Sequence, residues 1–469
     1  MLPPELKAPA AILHLFAGPQ GRKGRPGERL ARAFERLGPV SIKLGQLLST
    51  RADVFGDVFA ADLAHLKDAL PPFPLEVAIR EIETSLGRPV AALYDKLEPA
   101  VHAASLAQAH PAFLKDGRKV AVKVLRPGVE RRVAKDVAAM GLATRLLERH
   151  VPPARRLEPV AAAISVARSL ELELDLRIEA AGASELGEVM AQDGYMTAPA
   201  VIWDGVGKRV LTLEWAPGVA LSSPEALLLP GLDRPALAAG VLRAFLTQAL
   251  DHGVFHADLH EGNLFVSAPS TITAIDFGIV GRLGVKERRF LAEILWGFLR
   301  RDYQRVAEVH FEAGYVPTRY AVGDFAQALR AVGEPIFGRT AADVSMGRLL
   351  GQLFEITGLF DMHLRPELVL LQKTMVSAEG VARRIDPNTD IWTAARPIVE
   401  RWIARELSPV AQAKALLERG LRVLEALETK AAAPTTVVVA QPRADWMLPV
   451  ATLIVALGAL SVAAAALLR

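Results

Sequence analysis

Hydrophobic residues recur at helical spacing over most of the chain. Leu30, Phe34 and Leu37, for example, fall on one helical face, and Pro39 favours the start of a second helix. Helical spacing also covers residues 75–86, 90–97, 129–147, 235–253 and, with interruptions at proline and glycine, 285–427, and residues 170–181 are predicted to begin a further helix. The pattern therefore predicts a chain that is mainly helical.

Shorter apolar runs interrupt the helices and predict strands. They cover residues 120–125, 201–203, 210–215, 264–266 and 272–275. The last two runs are predicted to form a hairpin around a turn at 267–270, and a turn at 216–218 follows the run before them. The sequence thus favours a fold in which a few strands accompany many helices.

Composition limits the classes of protein that fit this pattern. The chain has 469 residues, too many for one simple core, and 51% of them are hydrophobic, a high share for a wholly soluble protein. Its 55 basic and 52 acidic residues give a net charge of +3, and there is no basic and aromatic module, so nucleic-acid binding is not predicted. Cysteine is absent, which excludes disulfides and thiolate metal sites.

The two ends of the chain differ from the rest. Residues 446–468 contain no charged residue and would span roughly 35 Å as a helix, against a hydrocarbon core of about 30 Å. We predict a transmembrane helix there, with Trp446 and Arg469 at its ends; the alternative is a buried helix of a soluble domain. Its small residues would let two such helices approach closely and form a homodimer. Residues 1–26 are predicted to be a flexible basic segment, either solvated or touching anionic lipid.

Two carboxylates and an amide form the clearest chemical motif. The chain has His-Ala-Asp-Leu-x-x-x-Asn, with Asp258 and Asn263, and then Asp-Phe-Gly beginning at Asp276. Protein kinases have the signature H-R-D-L-x-x-x-N followed by D-F-G. Magnesium prefers oxygen ligands, so Asn263 and Asp276 suit a metal site, while Asp258 could orient a nucleophile or accept a proton. The alternative is a chance tripeptide and an aspartate that caps a turn.

Further residues fit a nucleotide site around this motif. Lys123 lies on an apolar strand, as does the lysine that pairs with the α- and β-phosphates in kinases, and Glu179 is its predicted ion-pair partner. The alternatives are an edge-strand lysine and a solvated acidic face. The candidate nucleotide-binding positions are Ala103, Ala104 and Ser105 in an alanine-rich loop, Lys123, and Glu214 at the predicted interlobe hinge. The alternative for the alanine-rich run is a helix, which such runs form more often than a phosphate-binding loop.

These motifs together resemble the UbiB family of atypical protein-kinase-like proteins, which is tied to ubiquinone biosynthesis. Lys43 and Gln46 are similar to the family's K-x-G-Q motif, and Glu173 and Asp175 to its E-x-D motif. The resemblance implies that the N-terminal helices pack over the active site, where the E-x-D acids meet them, and that ATP hydrolysis is favoured over protein phosphorylation. The chain departs from the family in having Leu259 and Glu261 where prolines are common in the catalytic loop.

The predicted fold class is α+β: a bilobal protein-kinase-like fold with an N-terminal helical extension, a helical C-lobe and a C-terminal transmembrane helix. The predicted boundaries are 1–26 for the flexible N-terminus, 27–98 for the extension, 99–220 for the N-lobe, 221–429 for the C-lobe, 430–445 for a linker and 446–468 for the transmembrane helix.

The function implied is that of a membrane-anchored ATPase that uses ATP and Mg²⁺ to make hydrophobic quinone precursors accessible to biosynthetic enzymes. Lys43, Gln46, Glu173 and Asp175 would regulate it. Its expected partners are membrane lipids, quinone precursors and the enzymes of ubiquinone biosynthesis. We expect a bacterial inner-membrane location with the catalytic domain in the cytoplasm. The alternatives are a phosphotransferase acting on a small molecule or lipid, and a nucleotide-sensing scaffold without catalysis.

Overall fold

The computed structural model describes residues 24–49, 57–64, 66, 71–151, 159–334, 356, 358–362 and 366–406. Residues 1–406 form one compact unit and residues 407–469 another, and the second lies outside the described residues. The linker and transmembrane helix predicted for 430–468, and most of the predicted flexible N-terminus, therefore lie outside the described part of the chain. None of the described helices is long and apolar enough to cross a membrane.

Three helices begin the described chain. They are α1 (Pro26–Leu37), α2 (Pro39–Ser49) and α3 (Asp57–Ala64). Ala31 and Phe34 of α1 pack against Leu63 and Leu66 in a small core of their own. Gly45 of α2 lies so close to Phe34 and Leu66 that a Cβ atom there would overlap both side chains. The missing side chain thus allows α2 to lie directly on this core.

A five-stranded antiparallel sheet forms the next layer. After α4 (Leu75–Leu86), its strands are β1 (Tyr94–Leu97), β2 (His102–Ala103), β3 (Ala107–Leu114), β4 (Lys119–Leu125) and β5 (Val210–Glu214). The order is β1-β3-β4-β5, with β2 also pairing with β3. Val120, Val122 and Val124 of β4 are fully buried in one core, and Lys123 alternates onto the other face.

Two predictions fail around this sheet. The helix predicted for 90–97 is a short 3₁₀ turn at Val90–Ala92 followed by β1. Pairing with β3 overrides the helical spacing, and the buried Tyr94 hydroxyl lies 2.6 Å from Thr212 Oγ1. The strand predicted for 201–203 is reduced to one bridge, between Val201 and Leu213.

Three helices pack on the other face of the sheet. They are α5 (Val129–His150), α6 (Pro159–Glu173) and α7 (Leu176–Asp193). The continuous helix predicted for 170–181 is wrong, because the chain turns at Leu174 between α6 and α7. Asp175 caps α7 by accepting the Arg177 N–H at 3.2 Å, and Leu174 and Leu176 are buried on either side of it.

The remaining elements form a helical half with two small sheets. They are β6 (Val219–Ala220), α8 (Arg234–Thr247), β7 (Val254–His256), β8 (Leu264–Ser267), β9 (Thr271–Ala274), β10 (Val280–Arg282), α9 (Val285–Arg300), α10 (Tyr303–Glu312), α11 (Val322–Gly333), α12 (Pro366–Ile385) and α13 (Ile391–Glu406). The predicted hairpin is confirmed as β8 and β9, with Leu264 opposite Ala274. The helix predicted to reach Gly253 changes at Gln248 into a five-residue π-helix.

Candidate active site

The Lys123 ammonium joins three parts of the fold. Its Nζ lies 2.7 and 2.9 Å from the two carboxylate oxygens of Glu179 on α7, and 3.3 Å from Asp276 Oδ2. Burial disfavours the ammonium charge, but the carboxylates of Asp276 and Glu179 outweigh burial and raise the pKa of Lys123. The ion pair predicted between Lys123 and Glu179 is therefore present, and Asp276 extends it to a second carboxylate.

Asp276 adopts an unusual backbone conformation. Its φ of 62° lies in the left-handed region, which costs a residue with a Cβ atom roughly 1–2 kcal/mol. In this geometry its Oδ1 accepts the Gly278 N–H at 3.2 Å while Oδ2 faces Lys123. The charge on Lys123 lowers the pKa of Asp276, although burial opposes that shift. The turn thus presents an ionised carboxylate to the cleft.

The Asp-Phe-Gly turn that begins at Asp276 is in direct contact with α7 at a glycine. Gly182 lies one turn after Glu179 on α7, and a Cβ atom there would lie 3.1 Å from the Phe277 carbonyl oxygen and 3.0 Å from Val280 Cγ2. Phe277 itself is buried, with its ring centroid 5.4 Å from that of His256. The absence of a side chain at Gly182 lets the Asp-Phe-Gly turn rest on α7.

The β8–β9 hairpin brings Asn263 to the same region. Ile275, the residue before Asp276, donates its N–H to the Asn263 carbonyl at 2.8 Å. The buried Asn263 side chain donates through Nδ2 to the Asp258 carbonyl at 3.1 Å, which directs its amide oxygen away from that carbonyl. The hairpin register therefore places Asn263 and Asp276 at one end of the same pair of strands, as the sequence predicts.

Asp258 has a lysine and a histidine as close neighbours. Its Oδ1 lies 3.2 Å from Lys373 Nζ and its Oδ2 lies 3.5 Å from His260 Nε2. Burial would raise the pKa of Asp258, but His260 and Lys373 outweigh burial and hold that pKa well below its usual range. The sequence suggested an aspartate that orients a nucleophile or accepts a proton, and these contacts favour the first of these two roles. Sequence reasoning missed Lys373, because one lysine in a long helix carries no motif.

The N-terminal extension reaches the cleft through one lysine. Lys43 of α2 forms an ion pair with Glu173, the last residue of α6. Burial opposes the charge on Lys43, but Glu173 and, at longer range, Asp258 and Asp276 raise its pKa. Gln46 belongs to the same helix, and its side chain lies outside the described part of the structure.

The two acids of the E-x-D motif have different surroundings. Glu173 meets Lys43, whereas the Asp175 carboxylate lies 2.6 Å from Arg177 Nη2 and caps α7. The break between α6 and α7 separates the two side chains. The geometry therefore joins Glu173 to the extension and gives Asp175 a local partner.

The predicted nucleotide-binding positions other than Lys123 lie near the edges of the sheet. Ala103 ends β2, and Ala104 and the buried Ser105 form the turn before β3. The Ala104 N–H donates to Ala107 at 2.8 Å, and its carbonyl accepts Arg126 Nε at 2.8 Å. Glu214 ends β5; its N–H donates to the Ala200 carbonyl at 2.9 Å, and its carboxylate meets Arg118 at 3.0 Å. At Ala104 and at Glu214 the backbone N–H group therefore already donates to a carbonyl of the protein itself.

The donor set fits magnesium held jointly with phosphate oxygens. In the described residues no group of three or more His, Asp or Glu side chains could hold a metal. Magnesium commonly binds through one or two carboxylates together with substrate phosphates and water, and it needs no complete protein cage. One carboxylate, from Asp276, and one amide oxygen, from Asn263, fit that arrangement.

A small sheet facing a helical half, with a lysine–glutamate pair directed at an Asp-Phe-Gly turn, defines a kinase-like protein. Two family models match the chain: the ABC1 atypical kinase-like domain over residues 65–310 and the UbiB helical domain over residues 329–390. The chain therefore belongs to the UbiB family of atypical kinase-like proteins.

Known proteins agree with this assignment. A protein named "Probable protein kinase UbiB" from Marinobacter nauticus is 41% identical over 421 residues, or 88% of this chain and 77% of the relative. One of the same name from Pseudomonas aeruginosa is 41% identical over 389 residues, or 82% and 73%. The structure of Rv3197 from Mycobacterium tuberculosis in complex with erythromycin matches with a TM-score of 0.55 and 21% identity, covering 83% of this chain and 95% of that one. That similarity shows a shared fold.

Proposed function

We propose that this protein is a membrane-anchored, magnesium-dependent ATPase that supports ubiquinone biosynthesis by making hydrophobic quinone precursors accessible to their enzymes. The observation that carries the proposal is the Lys123 ammonium, within 3.3 Å of both Glu179 and Asp276 and next to the hairpin that carries Asn263. An ammonium oriented by two carboxylates beside a magnesium-type donor set is suited to binding a polyphosphate. The family membership and the apolar segment at 446–468 support the lipid part of the proposal.

Each residue has a distinct role in this reaction. Lys123 binds the α- and β-phosphates and Glu179 orients it. Asn263 and Asp276 would hold magnesium, which neutralises phosphate charge when bound. Asp258 positions the attacking water, and its low pKa keeps it a hydrogen-bond acceptor. The Lys43–Glu173 pair joins α2 to α6, and α2 held beside the cleft would disfavour a large protein substrate.

Phosphate release by the full-length protein tests the proposal. Purified protein in lipid nanodiscs should hydrolyse Mg-ATP, and Asp276→Asn should lower the rate at least about 100-fold, because one of the two metal-binding side chains loses its charge. Asp95→Asn, at an exposed position on β1, is the matched control and should retain wild-type activity. Equal activity in wild type and Asp276→Asn would contradict the proposal, and a phosphorylated product formed in step with ATP consumption would identify a phosphotransferase instead.

Quinone content tests the biosynthetic part separately. A bacterial strain that lacks its own family member should regain ubiquinone when it expresses the wild-type chain, and should regain little with Asp276→Asn. Normal ubiquinone with Asp276→Asn would favour the non-catalytic scaffold.

A further inference from the structure

Lys373 links the catalytic loop to a distant part of the chain. It lies on α12, 115 residues after Asp258, and its Nζ is 3.2 Å from Asp258 Oδ1. Both side chains are partly exposed, Lys373 by 40% and Asp258 by 32%, so the pair lines the open part of the cleft. A surface pair of this kind contributes little to the free energy of unfolding. Stability alone therefore gives no reason for a lysine at this position.

The helix that carries Lys373 is fixed to the catalytic loop at several further points. Thr374 Oγ1 donates to the Ala257 carbonyl at 3.2 Å, and Ser377 Oγ donates to the Leu259 carbonyl. Further along α12, Arg384 forms an ion pair with Glu261. These contacts bracket Asp258 on both sides, so they fix the distance from the α12 backbone to the loop.

Several other ionisable groups surround Asp258. His260 lies 3.5 Å away on the same loop, while Lys43 from α2 and Asp276 from the Asp-Phe-Gly turn act at longer range. His260 belongs to the same loop as Asp258, so it cannot hold the Asp258 carboxylate in place relative to the rest of the protein. Among the contacts described for the Asp258 side chain, Lys373 is the cation within 4 Å that comes from another element.

Resting on the function proposed above, we propose that Lys373 is a positioning residue, whose ammonium holds the Asp258 carboxylate in the orientation needed to align the attacking water. A displacement of about 1 Å in a reacting group can cost about 100-fold in rate, so one fixed cation beside the carboxylate has a large effect. Lys373 lies in the segment matched by the UbiB helical domain, beyond residues 65–310. The helical domain is thus part of the active site, and the kinase-like segment without it is incomplete.

Steady-state kinetics of the full-length protein with Mg-ATP tests this role. Lys373→Met keeps the aliphatic stem and removes the charge. It should lower kcat about 30-fold while KM changes less than about threefold, because Lys123 and the metal-binding residues still bind the nucleotide. Lys373→Arg, which keeps the charge, should recover most of the lost rate. Lys286→Met, an exposed lysine on α9, is the control for removing a surface charge and should behave as wild type.

A double-mutant cycle decides whether Lys373 acts through Asp258. In the Asp258→Asn background, adding Lys373→Met should cost no further activity, whereas independent losses that multiply would overturn the proposal. A rise in KM as large as the fall in kcat, or a kcat within about twofold of wild type for Lys373→Met, would also overturn it. If the wild type itself does not hydrolyse ATP, the proposed function fails; if wild type and Lys373→Met are equally active, only the role of Lys373 fails.

Discussion

The sheet side of the cleft and the catalytic-loop side hold their functional groups by different kinds of contact. On the sheet side, charges distant in sequence meet directly: Lys123 with Glu179, and Lys43 with Glu173. On the loop side, the backbone is held mainly by uncharged groups. His256 Nδ1 accepts the Asp258 N–H at 3.2 Å, the Asn263 amide donates to the Asp258 carbonyl, and the Thr374 hydroxyl donates to Ala257. Ion pairs on that side involve the more exposed side chains.

This difference determines how much stability or activity each side should lose when a side chain is substituted or the pH is lowered. Removing one member of a partly buried ion pair leaves an unpaired charge, which is costly. Removing an uncharged hydrogen bond costs less, but burial disfavours the charged form of a histidine, so acid destabilises a fold that keeps its buried histidines neutral. We therefore expect the sheet side to be most sensitive to loss of charge and the helical half to be most sensitive to acid.

The largest effect is expected from Lys123→Met. It removes the ammonium that holds Glu179 and Asp276 together and should lower ATP hydrolysis at least about 100-fold. Lys119→Met, at an exposed position on the same strand, is the matched control and should retain most activity. If Lys123→Met kept more than half of the wild-type rate, the ion pair would not organise this side of the cleft.

The second effect concerns His310 on α10, whose Nδ1 lies 2.7 Å from the Val306 carbonyl. Burial lowers the pKa of His310 to about 4, against an ordinary value of 6.5. As the pH falls below about 6.5, this histidine binds a proton in the unfolded chain but stays neutral in the folded chain. The free energy of unfolding therefore decreases until about pH 4.

Urea unfolding at two pH values measures this contribution. Between about pH 7.5 and about pH 5, His310→Gln should lose about 2 kcal/mol less stability than wild type. His150→Gln, near an exposed helix end, is the control variant. Parallel losses in wild type and His310→Gln would show that this histidine does not carry the acid sensitivity.

A smaller effect is expected from Thr374→Val, which keeps the shape of the side chain and removes its hydroxyl. Thr374 is fully buried, and its one hydroxyl hydrogen is shared between the Ala257 carbonyl at 3.2 Å and the Leu370 carbonyl of its own helix at 2.8 Å, so removing the hydroxyl should cost about 1 kcal/mol in the free energy of unfolding. Thr374→Ser keeps the hydroxyl and should restore the loop contact. Equal catalytic rates for the valine and serine variants would mean that this contact does not position the loop.

The smallest effect is expected at Asp175. Asparagine caps helices about as well as aspartate, so Asp175→Asn should change the free energy of unfolding by less than about 0.5 kcal/mol, whereas Asp175→Ala should cost about 1 kcal/mol. Thermal unfolding of both variants checks this. A large loss with Asp175→Asn would show that its charge matters beyond the cap, and would restore a role for Asp175 in the cleft.

The sequence predicted the parts of the site that local patterns encode. The alternation of valines around Lys123 and the spacing of the catalytic loop and hairpin are local signals, and the structure brings Lys123, Glu179 and Asp276 into contact. Helical spacing was misleading over 90–97, where pairing with β3 decides the conformation, and across the turn at Leu174. Lys373 had no local signal at all, because its contact with Asp258 arises only when α12 packs against the loop.

The contact at Gly182 links the two elements that carry the negatively charged partners of Lys123, which are Glu179 and Asp276. Because the Phe277 carbonyl rests on α7 where a side chain would otherwise stand, α7 and the Asp-Phe-Gly turn have little room to slide past one another. We therefore expect a rotation of α7 that withdraws Glu179 from Lys123 to displace Asp276 as well. Loss of the lysine contact and loss of the metal-binding carboxylate should therefore occur as a single event, with one relaxation rate for spectroscopic labels placed on either element.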